Sequence, residues 1–225
     1  MSLKNLFEFD ILDSTQDKAF ELLKNYNEVV VIAQRMLKGR GRYGNKWISD
    51  IGGLYMSIGF KDKDIEFSKR LLIISSIAVL DILKDYEIEA KVKIPNDIYY
   101  QDKKLCGILI EIKDRDVVLG IGLNINQSHF PLEIKATSMF LIKNKNFNIK
   151  EIAQKIYNKL KILINADFKF VLENYNKQIK ASLVEFEYNG NLIKGEILGI
   201  SENFEIVLSS GKFDMFYIRE VKEIL

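Results

Sequence analysis

The chain has a single cysteine, Cys106, in 225 residues. An intramolecular disulfide is therefore excluded, and a reducing compartment, the cytoplasm, is the expected location. Histidine also occurs once, as His129. A structural zinc site takes four Cys or His ligands, so no such site is expected and no metal ligands are assigned. Only two prolines occur, Pro95 and Pro131, and no Pro- or Ser-rich linker separates domains. No apolar run approaches the roughly 20 residues that span a bilayer. Residues 1–8 lack the apolar core of a secretory signal, so no membrane partner is expected. The net charge of +2 is too small to attract nucleic acid by bulk electrostatics. Internal repeats are absent.

What remains is ordinary in bulk. The composition is 48% hydrophobic and 28% charged, as in soluble globular proteins. The length suffices for one sizeable core and a small second module. One stretch stands apart. Residues 38–47 read K-G-R-G-R-Y-G-N-K-W. Gly39, Gly41 and Gly44 weaken helix or strand and permit positive φ. Bare backbone N–H groups interleaved with Lys38, Arg40, Arg42 and Lys46 suit an anion. Trp47, the only tryptophan, adds a planar apolar face. A phosphate joined to a flat ring, a nucleotide, fits that pair; a solvated basic loop whose Trp packs inward is the competing reading. The Rossmann spacing fails, because a strand rather than a helix follows and no acidic residue ends it. The Walker pattern is absent.

Taken in order, 7–12 alternates as a strand. Ser14 then N-caps a helix, with Asp17 three residues on and Ala19, Phe20, Leu22, Leu23 and Tyr26 as its stripe. Capping alone would account for Ser14 and Thr15. The apolar run 29–33 is a strand feeding the Gly/Arg loop. In the strand 53–60, Tyr55 and Ser57 oppose Leu54, Met56, Ile58 and Phe60, and face either a pocket or solvent. Residues 67–84 are apolar nearly all round, which predicts a buried helix. The strand 90–94 ends at Pro95, and Asn96-Asp97 favour a turn. Strands 98–100, 105–112 and 117–124 form a meander. Gly120 and Gly122 share one face of the last strand, where they either clear space for a ligand or admit a close-packed helix. Residues 127–146 read as irregular. Asn148 caps a second long helix, and a third helical pattern covers 168–179. From about residue 183 short strands alternate with tight turns, at 189–190, 202–203 and 209–212, which reads as a five-stranded barrel of about forty residues.

Together these segments resemble the biotin protein ligases, within the class II aminoacyl-tRNA synthetase-like superfamily of biotin and lipoate ligases. The G-R-G-R-x-G-x-x-W loop is matched by Gly39-Arg40-Gly41-Arg42-Tyr43-Gly44-Asn45-Lys46-Trp47. K-W-P-N-D is matched by Lys93-Ile94-Pro95-Asn96-Asp97, K-L-x-G-I-L-x-E by Lys104 to Glu111, G-x-G-x-N by Gly120-Ile121-Gly122-Leu123-Asn124, and D-S-T by Asp13-Ser14-Thr15. The likeness covers nearly the whole chain, and several motifs in order are more specific than any one. Two positions depart from it. Met36 stands where the family usually has a Gln near the biotin head, and Ile94 replaces the Trp of K-W-P-N-D. The resemblance implies an α+β fold: a class II synthetase-like mixed sheet with helices packed on it over 1–182, and a small Src-homology-3-like β-barrel over 183–225. Larger relatives add an N-terminal DNA-binding winged helix; here the catalytic domain starts at once, so no DNA partner is expected.

The implied activity has two steps. Biotin's carboxylate attacks the α-phosphorus of ATP to give biotinyl-adenylate and pyrophosphate. A lysine of a biotin carboxyl carrier protein, of acetyl-/propionyl-CoA or pyruvate carboxylase type, then displaces AMP. The resemblance implies that Arg40, Arg42 and the N–H groups at Gly39, Gly41 and Gly44 hold phosphate, and that Lys104 sits between the carboxylate and the α-phosphate. Ser14, Thr15, Tyr55 and the departing Met36 lie at the biotin head, over a floor of Gly107, Gly120 and Gly122. Trp47 covers the adenine, Asn124 hydrogen-bonds it, Asn96 fixes the turn and Asp97 orients the acceptor lysine. Mg²⁺ accompanies ATP, and a homodimer by side-by-side sheets is implied. The alternatives are a lipoate or octanoate ligase on the same fold, motivated by Met36, and a non-enzymatic nucleotide-binding module, which the near-neutral charge disfavours.

Overall fold

Seven strands build the central sheet: β1 (Leu6–Leu12), β2 (Glu28–Met36), β3 (Leu54–Phe60), β4 (Lys91–Lys93), β5 (Asp97–Tyr100), β6 (Lys103–Lys113) and β7 (Asp116–Leu123). They come from a computed structural model, which describes residues 5–188, 191–211, 215–218 and 222–223. Their order is β1-β2-β3-β7-β6-β5-β4. The β1–β2 pair is parallel and the others are antiparallel, so the sheet is mixed. The parallel pair needs a crossover, supplied by helix α1 (Thr15–Leu22), which Ser14 caps by accepting the Asp17 N–H at 3.3 Å.

Helix α2 (Ile65–Asp85) begins two residues before the apolar pattern, because Asp64 caps it through the Phe67 N–H. It packs on the face opposite α1. On the α1 side, Val29, Val31 and Val118 meet Ala19 and Leu23. On the α2 side, Val30, Ile58, Val117 and Leu119 join Leu71, Ile74 and Ala78 in the main core. Helices α4 (Ile149–Ile164) and α5 (Phe168–Lys177) close that side. Every residue of β3 is buried as a result. The reading of Tyr55 and Ser57 as a half-exposed face is thereby overturned: they are 1% and 0% exposed. Each large apolar side chain so enclosed contributes about 1.5–3 kcal/mol.

The stretch expected to be irregular holds a short helix, α3 (Met139–Lys143). Five residues are too few to show a period; Ser138 makes the helix, capping Leu141 N–H at 3.1 Å while donating to Gln127 O at 2.6 Å. Cys106 on β6 is fully buried, and burial pushes its thiol pKa up.

The C-terminal strands β8 (Leu183–Tyr188), β9 (Asn191–Ile200), β10 (Ile206–Ser209), β11 (Met215–Ile218) and β12 (Lys222–Glu223) form one antiparallel sheet, ordered β11-β10-β9-β8-β12. The predicted turn at 189–190 and the end of that at 209–212 lie outside the described residues. Val184, Phe186, Ile197, Ile206 and Leu208 form its core, on which Ile94 and Ile179 also pack. Asn176 of α5 ties on both sides of Ile200, donating to its carbonyl and accepting its N–H at 3.0 and 2.9 Å. No helix among the described residues is long and apolar enough to cross a membrane.

Candidate active site

Strand register places the motif residues in one line. Ala33 faces Tyr55, Tyr55 faces Gly122, Gly122 faces Gly107, Gly107 faces Asp97, and Asp97 faces Lys93. The next row on that face runs Val31, Ser57, Gly120, Leu109. Three glycines thus fall side by side, where the sheet presents bare backbone. A cleft of about 390 Å³ opens over them, walled by residues 14–16, the Gly/Arg loop and residues 93–97.

The loop itself is a tight hairpin. Arg40 bridges to Lys46, Gly41 N–H donates to Asn45 O at 2.7 Å, and Trp47 N–H donates to Gly39 O at 3.0 Å. The turn passes through Tyr43 and Gly44 at φ 57° and 76°, the left-handed region that glycine adopts freely. Gly39 is required for a different reason: a Cβ there would lie 2.6 Å from the backbone carbonyl oxygen of Trp47. The hairpin delivers the Trp47 indole onto the glycine floor, where a Cβ on Gly122 or Gly107 would meet the ring at 2.6 or 2.7 Å. The space cleared by those glycines is therefore the indole's. Gly120 plays the other part: it admits α1, with Gln16 directly above it.

The cleft has two chemically distinct ends. At the Gly107 end Lys104 Nζ pairs with Asp97 Oδ2 at 2.6 Å and lies 5.2 Å from the Trp47 ring centroid. Arg42 Nη1 donates to Asn96 Oδ1 at 3.2 Å, and Asn96 Nδ2 donates to Ile108 O at 2.9 Å, so the loop rests on the Pro95-Asn96-Asp97 turn. Ile94 lines the cleft and packs on both cores. At the Gly120 end the groups are neutral except for Arg40, whose guanidinium is paired with Asp17 and Glu111. Ser57 Oγ donates to Thr15 Oγ1 at 2.8 Å, and Met36 Sδ sits 3.4 Å from both the hydroxyl and the amide of Thr15.

Most residues singled out in the sequence converge on this cleft: Ser14, Thr15, Met36, Arg40, Gly41, Arg42, Trp47, Tyr55, Asn96, Asp97, Lys104, Gly107, Gly120 and Gly122 all line it. Gly39, Gly44 and Asn124 do not. Asn124 is 4% exposed, and its carboxamide donates to Thr137 O and accepts from Gln127 Nε2, so in this structure it does not reach the cleft. Tyr55 lends its ring, but its hydroxyl donates to Asp50 O at 2.6 Å and accepts from Gln127. Burial raises its pKa. Arg40 has its donors on carboxylates rather than open to the cleft. One residue escaped the sequence reading. Gln16 is 5% exposed, lines the cleft, and neither its Nε2 nor its Oε1 has a hydrogen-bond partner among the described residues. A signal was available, because Gln16, Ala19, Phe20 and Leu23 follow the i, i+3, i+4, i+7 spacing of a buried stripe in which a polar residue is out of place.

Comparison with known proteins gives a consistent picture. Residues 8–128 match the model described as the biotin/lipoate A/B protein ligase family. The bifunctional ligase/repressor BirA of Bacillus subtilis is 29% identical over 230 residues, covering 93% of this chain and 70% of that protein. The biotin–[acetyl-CoA-carboxylase] ligase of Mycobacterium tuberculosis is 34% identical over 118 residues, 49% of this chain and 44% of the relative. The biotin protein ligase of Aquifex aeolicus, solved with biotin and ATP, superposes with a TM-score of 0.84 at 29% identity, covering 98% of this chain and 100% of that one.

Proposed function

The chain belongs to the biotin/lipoate A/B protein ligase family, and from that premise we infer that it activates biotin with ATP to biotinyl-5′-AMP and transfers the biotinyl group to a lysine of a biotin carboxyl carrier protein. The observation that carries this reading is the polarity of the cleft: neutral hydrogen-bonding side chains at Thr15 and Gln16, a middle where the Trp47 indole lies on Gly107 and Gly122, and a cationic end at Lys104 and Arg42. A biotinyl-adenylate is complementary to it along its length, with a neutral ureido head, an apolar chain and an anionic phosphate.

In the first step carboxylate and triphosphate, both anionic, must meet. In a poorly solvated site that is strongly unfavourable without cations. We assign Lys104 to the junction of carboxylate and α-phosphate and Arg42 to the phosphate oxygens. The cleft's charged lining is mainly cationic, with Asp97 paired to Lys104. A Mg²⁺ arriving with ATP would therefore be held by phosphates and water. The product is a mixed anhydride that water destroys, and the hairpin with Trp47 covers it. Once the adenylate takes up Lys104, Asp97 is free to receive the acceptor lysine and to accept a proton from its ammonium; the neutral amine then attacks the acyl carbon, AMP leaves, and the nitrogen sheds its second proton to water as the amide forms. We propose an acceptor domain of acetyl-CoA-carboxylase type, and take the C-terminal sheet as the Src-homology-3-like module.

Pyrophosphate exchange into ATP tests the reading, run with biotin, lipoate and octanoate in turn. Exchange with biotin alone is expected. Exchange with lipoate or octanoate alone would favour the second enzyme class, for which the thioether of Met36 at Thr15 speaks. No exchange with any would sink both.

Gln16 makes the preference for biotin testable at one side chain. A carboxamide offers one N–H and one C=O on the same edge, matching the N–H and C=O of a cyclic urea. Two neutral hydrogen bonds at a buried site correspond to about a 10- to 100-fold effect on affinity. Gln16→Leu is expected to raise the KM for biotin and for desthiobiotin by that amount. The same change relieves two buried polar atoms that lack partners, so the melting temperature should rise, not fall. An unchanged biotin KM would remove Gln16 from the head-group site.

A further inference from the structure

The two arginines of the loop are bonded in opposite ways. Arg40 places every one of its N–H donors on the protein. Nε donates to Glu111 Oε1 at 3.0 Å, Nη1 to Ser14 Oγ at 3.0 Å and Asp17 Oδ2 at 2.9 Å, and Nη2 to Asp17 Oδ1 at 2.9 Å and Glu111 Oε2 at 2.8 Å. A guanidinium has five N–H groups, so none is left over. Arg42, by contrast, donates to the neutral oxygens of Asn96 and Tyr43. A phosphate that sought Arg40 would have to displace two bidentate carboxylates; one that sought Arg42 would displace an amide and a phenol.

Those carboxylates belong to different layers. Asp17 lies in the first turn of α1 and Glu111 on β6. The planar fork spans them, a geometry that Arg provides and Lys does not. The Arg40–Lys46 bridge and the Trp47-to-Gly39 hydrogen bond then carry that fixed point to the indole over Gly107 and Gly122. Ser14, the third acceptor, also caps α1 and so sets the turn that carries Thr15 and Gln16.

We propose that Arg40 is a positioning residue, a latch that fastens the Gly/Arg hairpin to helix and sheet through Asp17 and Glu111, and that it leaves phosphate binding to Arg42. The latch stands on protein contacts alone; only its effect on KM rests on the ligase reading. Asp17 and Glu111 touch no reacting atom in this account. They act by keeping the hairpin down, so that substrate binding need not order it.

Trp47 is the only tryptophan, so its fluorescence reports the hairpin without any substrate. The full-length Asp17→Asn, Glu111→Gln and Asp17→Asn/Glu111→Gln variants are compared with wild type for acrylamide quenching of Trp47 and for pyrophosphate exchange. Each single change is expected to raise quenching about twofold and the KM for biotin about tenfold, with kcat at saturation within about threefold. Glu111→Gln added to Arg40→Gln should raise quenching no further than Arg40→Gln alone, because the arginine change already removes the bonds to Glu111. Unchanged quenching in the double carboxylate variant would overturn the proposal. So would an Arg40→Gln enzyme whose kcat falls about a hundredfold while Trp47 stays shielded, the mark of a lost phosphate ligand. Should Arg40→Gln not fold, the isosteric carboxylate variants decide alone. If wild type shows no exchange, the ligase reading fails, and the quenching arm still judges the latch.

Discussion

Lys104→Ala is expected to reduce biotin-dependent pyrophosphate exchange by about 10²–10³-fold, the scale of losing one preorganised charge at a reacting centre. The argument rests on where β6 puts the ammonium. Lys104 backbone is pinned on both sides, its N–H to Lys135 O and its carbonyl to Thr137 N–H, each at 2.9 Å. The side chain then reaches over Gly107, where an added Cβ would lie 3.4 Å from Lys104 Cε, and ends 2.6 Å from Asp97. The protein should stay folded. Lys104 and Asp97 side chains are 30% and 20% exposed, and partly exposed ion pairs contribute about 0–1 kcal/mol. Asn96 Nδ2 also continues to donate to Asp97 at 3.2 Å. The decisive comparison is exchange rate against thermal melt. Exchange within about threefold of wild type, with an unchanged melt, would take Lys104 out of the reaction. Lys104→Gln refines it: a hydrogen bond without a charge should rescue little, since the opposing anions need a cation.

The local half of this site was legible in the sequence and the non-local half was not. Gly120 and Gly122 stand two apart in a strand, and so do Tyr55 and Ser57, so each pair could be put on one face by the period of two. That the pairs face each other depends on β3 lying beside β7, a pairing of strands about sixty residues apart that no local pattern encodes. The same gap explains Tyr55. Its alternation is that of an amphipathic strand, yet α1 and α2 cover opposite faces and leave no exposed side. Ser14 and Asn148 were readable as caps because capping is decided within three residues. Arg40 was readable only as a cation near glycines; its partners Asp17 and Glu111 lie 23 and 71 positions away. Asn124 lies outside the cleft lining for a like reason. Its partners Thr137 and Gln127 sit in the stretch that looked irregular, where α3 and its cap give the backbone a fixed course.

Arg42→Gly should change the fate of the product more than its formation, releasing adenylate that labels bystander lysines at least about tenfold above wild type per turnover. Arg42 opens the 3₁₀ turn Arg42–Gly44, stacks on Tyr43 at 4.8 Å and reaches Asn96 on the opposite wall. It is therefore the point where the hairpin tip touches the turn that carries Asp97. Glycine removes the phosphate ligand and that contact together, and adds backbone freedom next to Gly41. The base of the hairpin is expected to hold, because Arg40 keeps its carboxylates, so biotin should still bind. The expected pattern is slower adenylation with leakage, measured by biotin incorporation into serum albumin and carrier domain in parallel. Arg42→Lys, which keeps the charge but shortens the reach to Asn96, should restore more of the adenylation than of the retention. A glycine variant that remained carrier-specific at normal activity would show that the hairpin tip neither grips the phosphate nor seals the cleft.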